Sequence, residues 1–226
     1  MSRLEDNFRK VEPYVPGEQP NLPDMVKLNT NENPYPPSPK VAEALQKFEL
    51  DSLRLYPDPA STDLVNALAE RYHVQADQVY TGVGSDDVLA IAFLTFFNSG
   101  KPILFPDITY SFYDVWAELF QIPYERPALD DAFALRLEDY QCENGGIVLA
   151  NPNAPTGIRQ SEEFLRAVIE ANPNVVVIID EAYADFSGYT ALPLVDEYEN
   201  VVVVQTFSKS RSMAGMRIGH AIGNAK

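Results

Sequence analysis

Two blocks in the second half of the chain, Val175 to Ile179 and Val201 to Val204, are apolar at every position, with no alternate residue turned toward water. A strand exposed on one face would alternate, so both blocks predict strands covered on both sides, as in a parallel sheet under helices. Shorter apolar runs predict further strands at 79–81, 102–105, 122–126, 146–150 and 217–222, alongside 175–180 and 201–206. Between them the apolar residues recur at helical spacing over 86–97, 110–120 and 161–171. Upstream, Ser38-Pro39 opens a helical pattern through Val41, Leu45 and Phe48, and Ser61 or Thr62 opens another through Leu64, Val65, Leu68 and Ala69 to Tyr72. The alternation predicts an α/β fold with a mainly parallel seven-stranded sheet covered by helices.

The segment before Pro39 breaks this rhythm. Pro13, Pro16, Pro20, Pro23, Pro34, Pro36 and Pro37 block regular helix, while Tyr14, Val15, Met25, Val26, Leu28 and Tyr35 offer anchors that a plain linker lacks. An extended N-terminal arm is expected, with residues 1–50 as arm and first helix and 51–226 as one large domain.

Composition narrows the function. Hydrophobic residues make up 46% and charged residues 22% of the 226 positions, values of an ordinary globular domain. A net charge of −16 argues against nucleic acid or an anionic membrane surface as partner, so any anionic ligand must be drawn in by local groups. No apolar run is long enough to span a bilayer and the first ten residues hold no signal-like apolar core, which makes a cytoplasmic location the simplest expectation. Cys142 is the only cysteine and His73 and His220 the only histidines, so disulfides, a thiolate metal cluster and a Ser-His-Asp triad have almost nothing to build with. No metal site is expected.

The chemistry-bearing residues fall at the carboxyl ends of the expected strands, where open parallel sheets bind ligands. Behind Val201 to Val204 comes Thr206-Phe207-Ser208-Lys209, followed by Ser210, Ser212 and Arg217. A partly desolvated lysine amine can attack a carbonyl, and the hydroxyls with the guanidinium suit a phosphate; together they describe pyridoxal phosphate, although a surface lysine after a core strand would look similar. Asp180 ends the strand before, where an ionised carboxylate would hold a pyridine nitrogen protonated, and Tyr183 could reach the ring hydroxyl; a turn or helix-capping role would equally place an aspartate there. Gly82-Val83-Gly84-Ser85-Asp86 leads from a strand into a helix whose first amides favour a phosphate, a common turn by itself. Tyr110 offers a flat face for a ring, or a core aromatic. Asn151-Pro152-Asn153-Ala154-Pro155-Thr156-Gly157 presents amides that could bond a phenolate, or simply makes a turn.

Taken with Leu28 to Tyr35 and Arg54-Leu55-Tyr56-Pro57-Asp58, these blocks in this order resemble the fold-type I pyridoxal-phosphate aminotransferases, and within them the histidinol-phosphate aminotransferase family. The resemblance implies the large domain of the aspartate-aminotransferase-like fold and pyridoxal 5'-phosphate as cofactor. It further implies Lys209 as the residue that binds the cofactor covalently, Asp180 on its ring nitrogen, Tyr183 on its ring hydroxyl and Tyr110 stacked on the ring. Ser85, Asp86 through its backbone N–H, Thr206, Ser208 and Arg217 would surround the phosphate. Tyr56 would reach the cofactor phosphate of a neighbouring subunit, making a homodimer with shared active sites. The implied reaction moves an amino group between L-histidinol phosphate and 2-oxoglutarate, giving imidazole-acetol phosphate and L-glutamate in histidine biosynthesis. An aromatic-amino-acid aminotransferase, a threonine-phosphate decarboxylase or a non-catalytic cofactor-binding fragment would share the same blocks. The family places an asparagine before Pro-Thr-Gly where this chain has Ala154, so Asn153 is expected to compensate. Relatives continue past the position of Lys226 into a small C-terminal domain, which is expected to be absent here, and this chain alone is expected to be inactive on histidinol phosphate.

Overall fold

The computed structural model describes residues 4–12, 17–18 and 22–225; the expected arm anchors Tyr14 and Val15, with Pro13, Pro16 and Pro20, lie outside them. Seven strands form one sheet: β1 (Val79–Gly82), β2 (Ile103–Leu104), β3 (Tyr124–Glu125), β4 (Gly146–Ala150), β5 (Val177–Asp180), β6 (Val201–Thr206) and β7 (Gly219–Gly223). Their order is β1-β7-β6-β5-β4-β2-β3. β7 alone runs against its neighbours, pairing antiparallel with both β6 and β1. The helices are α1 (Pro39–Gln46), α2 (Thr62–Tyr72), α3 (Ser85–Phe96), α4 (Phe112–Phe120), α5 (Glu162–Ala171), α6 (Ala184–Ser187) and α7 (Leu194–Glu197). All expected strands and helices are present. The two outer strands β2 and β3 are shorter than their apolar runs, and α6 and α7, a single turn each, had no periodicity to reveal them.

Strand alternation sorts the apolar runs onto two cores. Ile147, Leu149, Val177, Ile179, Val201 and Val203 point to one face, where α5 and α7 cover them with Leu165, Val168, Ile169, Leu194 and Val195. Val148, Ile178, Val204 and Ala221 point to the other, under Val88, Leu89 and Phe93 of α3 and Tyr113, Trp116 and Ala117 of α4. This explains why the sequence blocks lack alternation: both sets of alternate residues are buried.

The same two-residue period continues past the strand ends. Asp180 stays on the α3/α4 side with Ile178, while Glu181 turns to the α5/α7 side. One buried acid is thereby aimed at each face of the sheet.

Because β7 is reversed, its amino end lies at the edge where the other strands end, and Arg217 joins that edge from the opposite chain direction. β7 also packs tightly under the start of α3. A β-carbon on Gly219 would collide with the backbone of Gly84 and Ser85, so only glycine lets the strand pass beneath that turn. Gly84 itself has φ of 87° and lies against the Arg217 guanidinium.

Gly219→Ala is therefore expected to lower stability by about 1–3 kcal/mol through overpacking against rigid backbone. Urea unfolding of the two proteins measures this; an unchanged midpoint would mean that the α3 turn gives way freely.

Candidate active site

A cavity of about 220 Å³ opens at the carboxyl edge of the sheet, between β6, β5, β4 and the start of α3. Asp180 forms its floor. The carboxylate is 4% exposed and accepts bonds from the Tyr113 hydroxyl at 2.8 Å and the Ala182 N–H at 3.1 Å. Burial lifts its pKa to about 6, against the lowering effect of those two donors. It enters no ion pair among the described residues, and the Lys209 charge, felt through space, only partly offsets the cost of its burial. Tyr113, wholly buried on α4, has its own pKa raised well above normal by burial and by the adjacent Asp180, which keeps its proton on the donor side of the bond.

Lys209 and Tyr183 make the wall above. The ammonium Nζ lies 5.6 Å from the centre of the Tyr183 ring and donates to the Thr30 carbonyl at 3.1 Å. The arm crosses here: Asn31 Nδ2 donates to the Tyr183 hydroxyl at 3.0 Å, and Asn33 Nδ2 to the carbonyls of Lys209 and Ser210 at 3.2 and 3.3 Å. These contacts join residues more than 150 positions apart, and the arm's lack of periodicity is what left it free to follow the pocket rim.

Opposite the lysine lies an anion cradle. Ser85 and Asp86 begin α3, whose first N–H groups have no partner within the helix and point toward the cavity's end. The Thr206 and Ser208 hydroxyls are mutually bonded at 3.0 Å, and Arg217 reaches in from β7. The Asp86 carboxylate accepts from the Tyr110 hydroxyl at 2.8 Å and lies 3.5 Å from the Arg217 guanidinium, so it occupies the cation that a phosphate would use.

Nine of the expected residues, Lys209, Asp180, Tyr183, Tyr110, Ser85, Asp86, Thr206, Ser208 and Arg217, thus line one cavity. Asn153 is placed differently. Its amide donates to the Ile108 carbonyl and Thr156 hydroxyl while its oxygen accepts from Thr109, so both N–H groups are spent bracing two loops and the side chain faces an adjoining cleft. Ala154 takes the place on the cavity wall, and the compensation expected of Asn153 is not made in this geometry. Ser210 likewise turns away and donates to Asp185. Tyr56 is fully exposed and lies outside the cavity of its own chain. Tyr113, Thr30 and Asn31 were not expected as site residues; Tyr113 reads in sequence as one more apolar-stripe aromatic, and only the fold puts its hydroxyl against Asp180.

Residues 23–226 match the family model for aminotransferase class I and II, and the chain belongs to that family. It is 53% identical over 222 residues to the histidinol-phosphate aminotransferase of Lactococcus lactis subsp. cremoris strain MG1363, a match that covers 98% of this chain and 62% of the relative. With histidinol-phosphate aminotransferase 1 of Pseudomonas aeruginosa it shares 53% identity over its whole length and 64% of the relative's. The chain therefore spans less than two thirds of these relatives. Among solved structures, histidinol-phosphate aminotransferase from Sinorhizobium meliloti in complex with pyridoxal-5'-phosphate superposes with a TM-score of 0.78 at 25% identity, covering 87% of this chain and 55% of that one. The fold is also that of Thermus thermophilus aspartate aminotransferase, at a TM-score of 0.77 and 21% identity over 88% of this chain and 56% of that one. No helix among the described residues is long and apolar enough to cross a membrane.

Behind the sheet, Glu181 is held by the Thr190 hydroxyl at 2.6 Å, the Ala191 N–H at 2.5 Å and the Gln205 amide at 2.8 Å, and burial raises its pKa from 4.5 to about 7. Between those two values the folded chain holds a proton that the unfolded chain has released, so folding stability falls as pH rises through the window. His220 works in the opposite sense: buried without a hydrogen-bond partner among the described residues, its pKa drops to about 4, which favours folding as pH rises toward 6.5. Glu181→Gln should remove roughly 3 kcal/mol of the stability lost between pH 5 and pH 8. Urea melts at the two pH values measure the difference; a variant with the parent's pH dependence would show that Glu181 stays ionised in the folded chain.

Proposed function

We propose that this chain is the pyridoxal 5'-phosphate-binding part of a histidinol-phosphate aminotransferase, which exchanges an amino group between L-histidinol phosphate and 2-oxoglutarate in the cytoplasm. The observation that carries the reading is one cavity holding a buried carboxylate outside any direct ion pair at its floor, a lysine on its wall and an anion cradle at its end. The names of relatives 53% identical supply the substrate.

The residues present fit the cofactor. Asp180 has no cation in direct contact among the described residues, and a protonated ring nitrogen would supply one, relieving the cost of its burial. Tyr110 offers a ring face and Tyr183 a hydroxyl for the ring oxygen. The α3 amides, Thr206, Ser208 and Arg217 would hold the phosphate, with Asp86 turning its carboxylate away and contributing its N–H. When bound, pyridoxal phosphate supplies an electron sink that weakens the C–H bond at the substrate carbon bearing the amine. Lys209 Nζ would hold the group covalently and afterwards move the proton at that carbon, so it must leave the Thr30 carbonyl to act. Asp180, kept ionised by Tyr113 and Ala182, would hold the ring proton in place throughout. Residues 51–226 are assigned as the cofactor-binding domain and 1–50 as arm and first helix, the arm closing one side of the cavity.

Borohydride treatment of the cofactor-loaded chain, followed by peptide mapping, should place the pyridoxyl label on the peptide containing Lys209. A label on any other lysine, or none, contradicts the assignment.

The active unit is proposed to be a homodimer, because Tyr56 is 100% exposed and does not line its own chain's cavity. Mixing Tyr56→Phe with Lys209→Ala subunits should restore one intact site per heterodimer and bring back up to about half of the parental activity per site pair. If both residues served the same subunit's cavity, each variant alone would match the mixture.

A further inference from the structure

The arm is anchored to the Lys209 turn on both sides of Asn31. Before it, the Thr30 carbonyl accepts from Lys209 Nζ; after it, Asn33 Nδ2 donates to the carbonyls of Lys209 and Ser210. Asn31 itself takes a left-handed backbone, with φ of 52°, a conformation that asparagine tolerates better than most residues. Its amide has a different target from these anchors. Nδ2 donates to the Tyr183 hydroxyl at 3.0 Å, the one hydrogen bond which that hydroxyl makes among the described residues.

A phenol hydroxyl holds one proton and can also accept. With an amide N–H on its accepting side, the hydroxyl of Tyr183 keeps its own proton for a partner in the cavity that the residue lines. The neighbouring wall offers no rival side-chain donor: Ala150, Pro152 and Ala154 carry no polar side-chain atom, and the Asn153 amide is bonded to Ile108 and Thr156.

We infer that Asn31 is a positioning residue for the reaction: by donating to Tyr183 it commits that hydroxyl's single proton to the ring oxygen of the cofactor. The inference rests on the aminotransferase reading above and deepens it, giving the arm a task beyond closing the cavity. Because Thr30 and Asn33 hold the arm on either side, its docking does not hang on the Asn31 amide. Orientation of the hydroxyl and docking of the arm are therefore separable by substitution.

Titration of the cofactor-free chain with pyridoxal 5'-phosphate and with 3-deoxypyridoxal 5'-phosphate, which lacks the ring hydroxyl, separates them. Asn31→Gly suits the left-handed backbone and removes the amide. It should lose about threefold to tenfold in affinity for pyridoxal 5'-phosphate and keep the parent's affinity for the deoxy form. Asn33→Ala, which loosens the arm without touching Tyr183, should weaken both ligands alike. In a Tyr183→Phe background, which cannot carry the contact, Asn31→Gly should add no further loss. The inference is overturned, while the proposed function stands, if Asn31→Gly keeps the parent's preference for the hydroxyl-bearing form or weakens both ligands equally. A further loss of that preference in the Tyr183→Phe background overturns it as well, since Asn31 would then act by another route. A parent chain that binds neither ligand overturns the proposed function and the inference together.

Discussion

The structure depends on a sheet whose middle strands are buried on both faces. Such strands cannot carry polar side chains along their length without stranding them in hydrocarbon, so polar residues are displaced to the strand ends. β4, β5 and β6 are apolar until their last residues and then turn polar at once, with Asp180 closing β5 and Gln205 and Thr206 closing β6. All of these strands run in one direction, so their polar ends gather at one edge. The cavity is the consequence of that crowding.

Alternation then decides which acid does what. Asp180 and Glu181 are neighbours in the chain with burial-raised pKa values, yet they face opposite sides of the sheet. Glu181 meets a full set of donors from the loop at Thr190 and from Gln205, and Gln205 in turn accepts from Tyr72, which receives Arg211. That satisfied network reads as a brace. Among the described residues Asp180 receives hydrogen bonds from Tyr113 and Ala182 and enters no direct ion pair, at the floor of a cavity. The difference between a structural and a ligand-facing carboxylate here lies in what surrounds each one, since the residues are adjacent and chemically alike.

The arm adds a second constraint. Thr30, Asn31 and Asn33 reach the Lys209 turn and Tyr183 by side chain to backbone and side chain to side chain bonds, which need no regular backbone. A proline-rich segment suits this task, because it stays extended and loses little conformational freedom when it docks. The arm leaves Lys209 bonded to a carbonyl in place of a carboxylate, a contact that an incoming carbonyl compound can displace without breaking an ion pair.

The chain's local pattern determined the element order, the covered parallel sheet and the strand-end positions of Lys209, Asp180 and Ser85, because burial on both faces writes itself as unbroken apolar runs with polar stops; Arg217 reaches the same edge only because β7 is reversed. Single-turn helices such as α6 and α7 left no such trace, being shorter than the period that would reveal them. Only the tertiary structure decided that Asn153 braces two loops and does not face the cavity, that Tyr113 bonds Asp180, and that Asn31 bonds Tyr183. These outcomes turn on side-chain direction and on partners distant in sequence. A hydrogen bond between Tyr113 and Asp180 joins positions 67 apart, and no spacing rule along the chain encodes which of two neighbouring asparagine or aspartate side chains will find such a partner when the sheet closes.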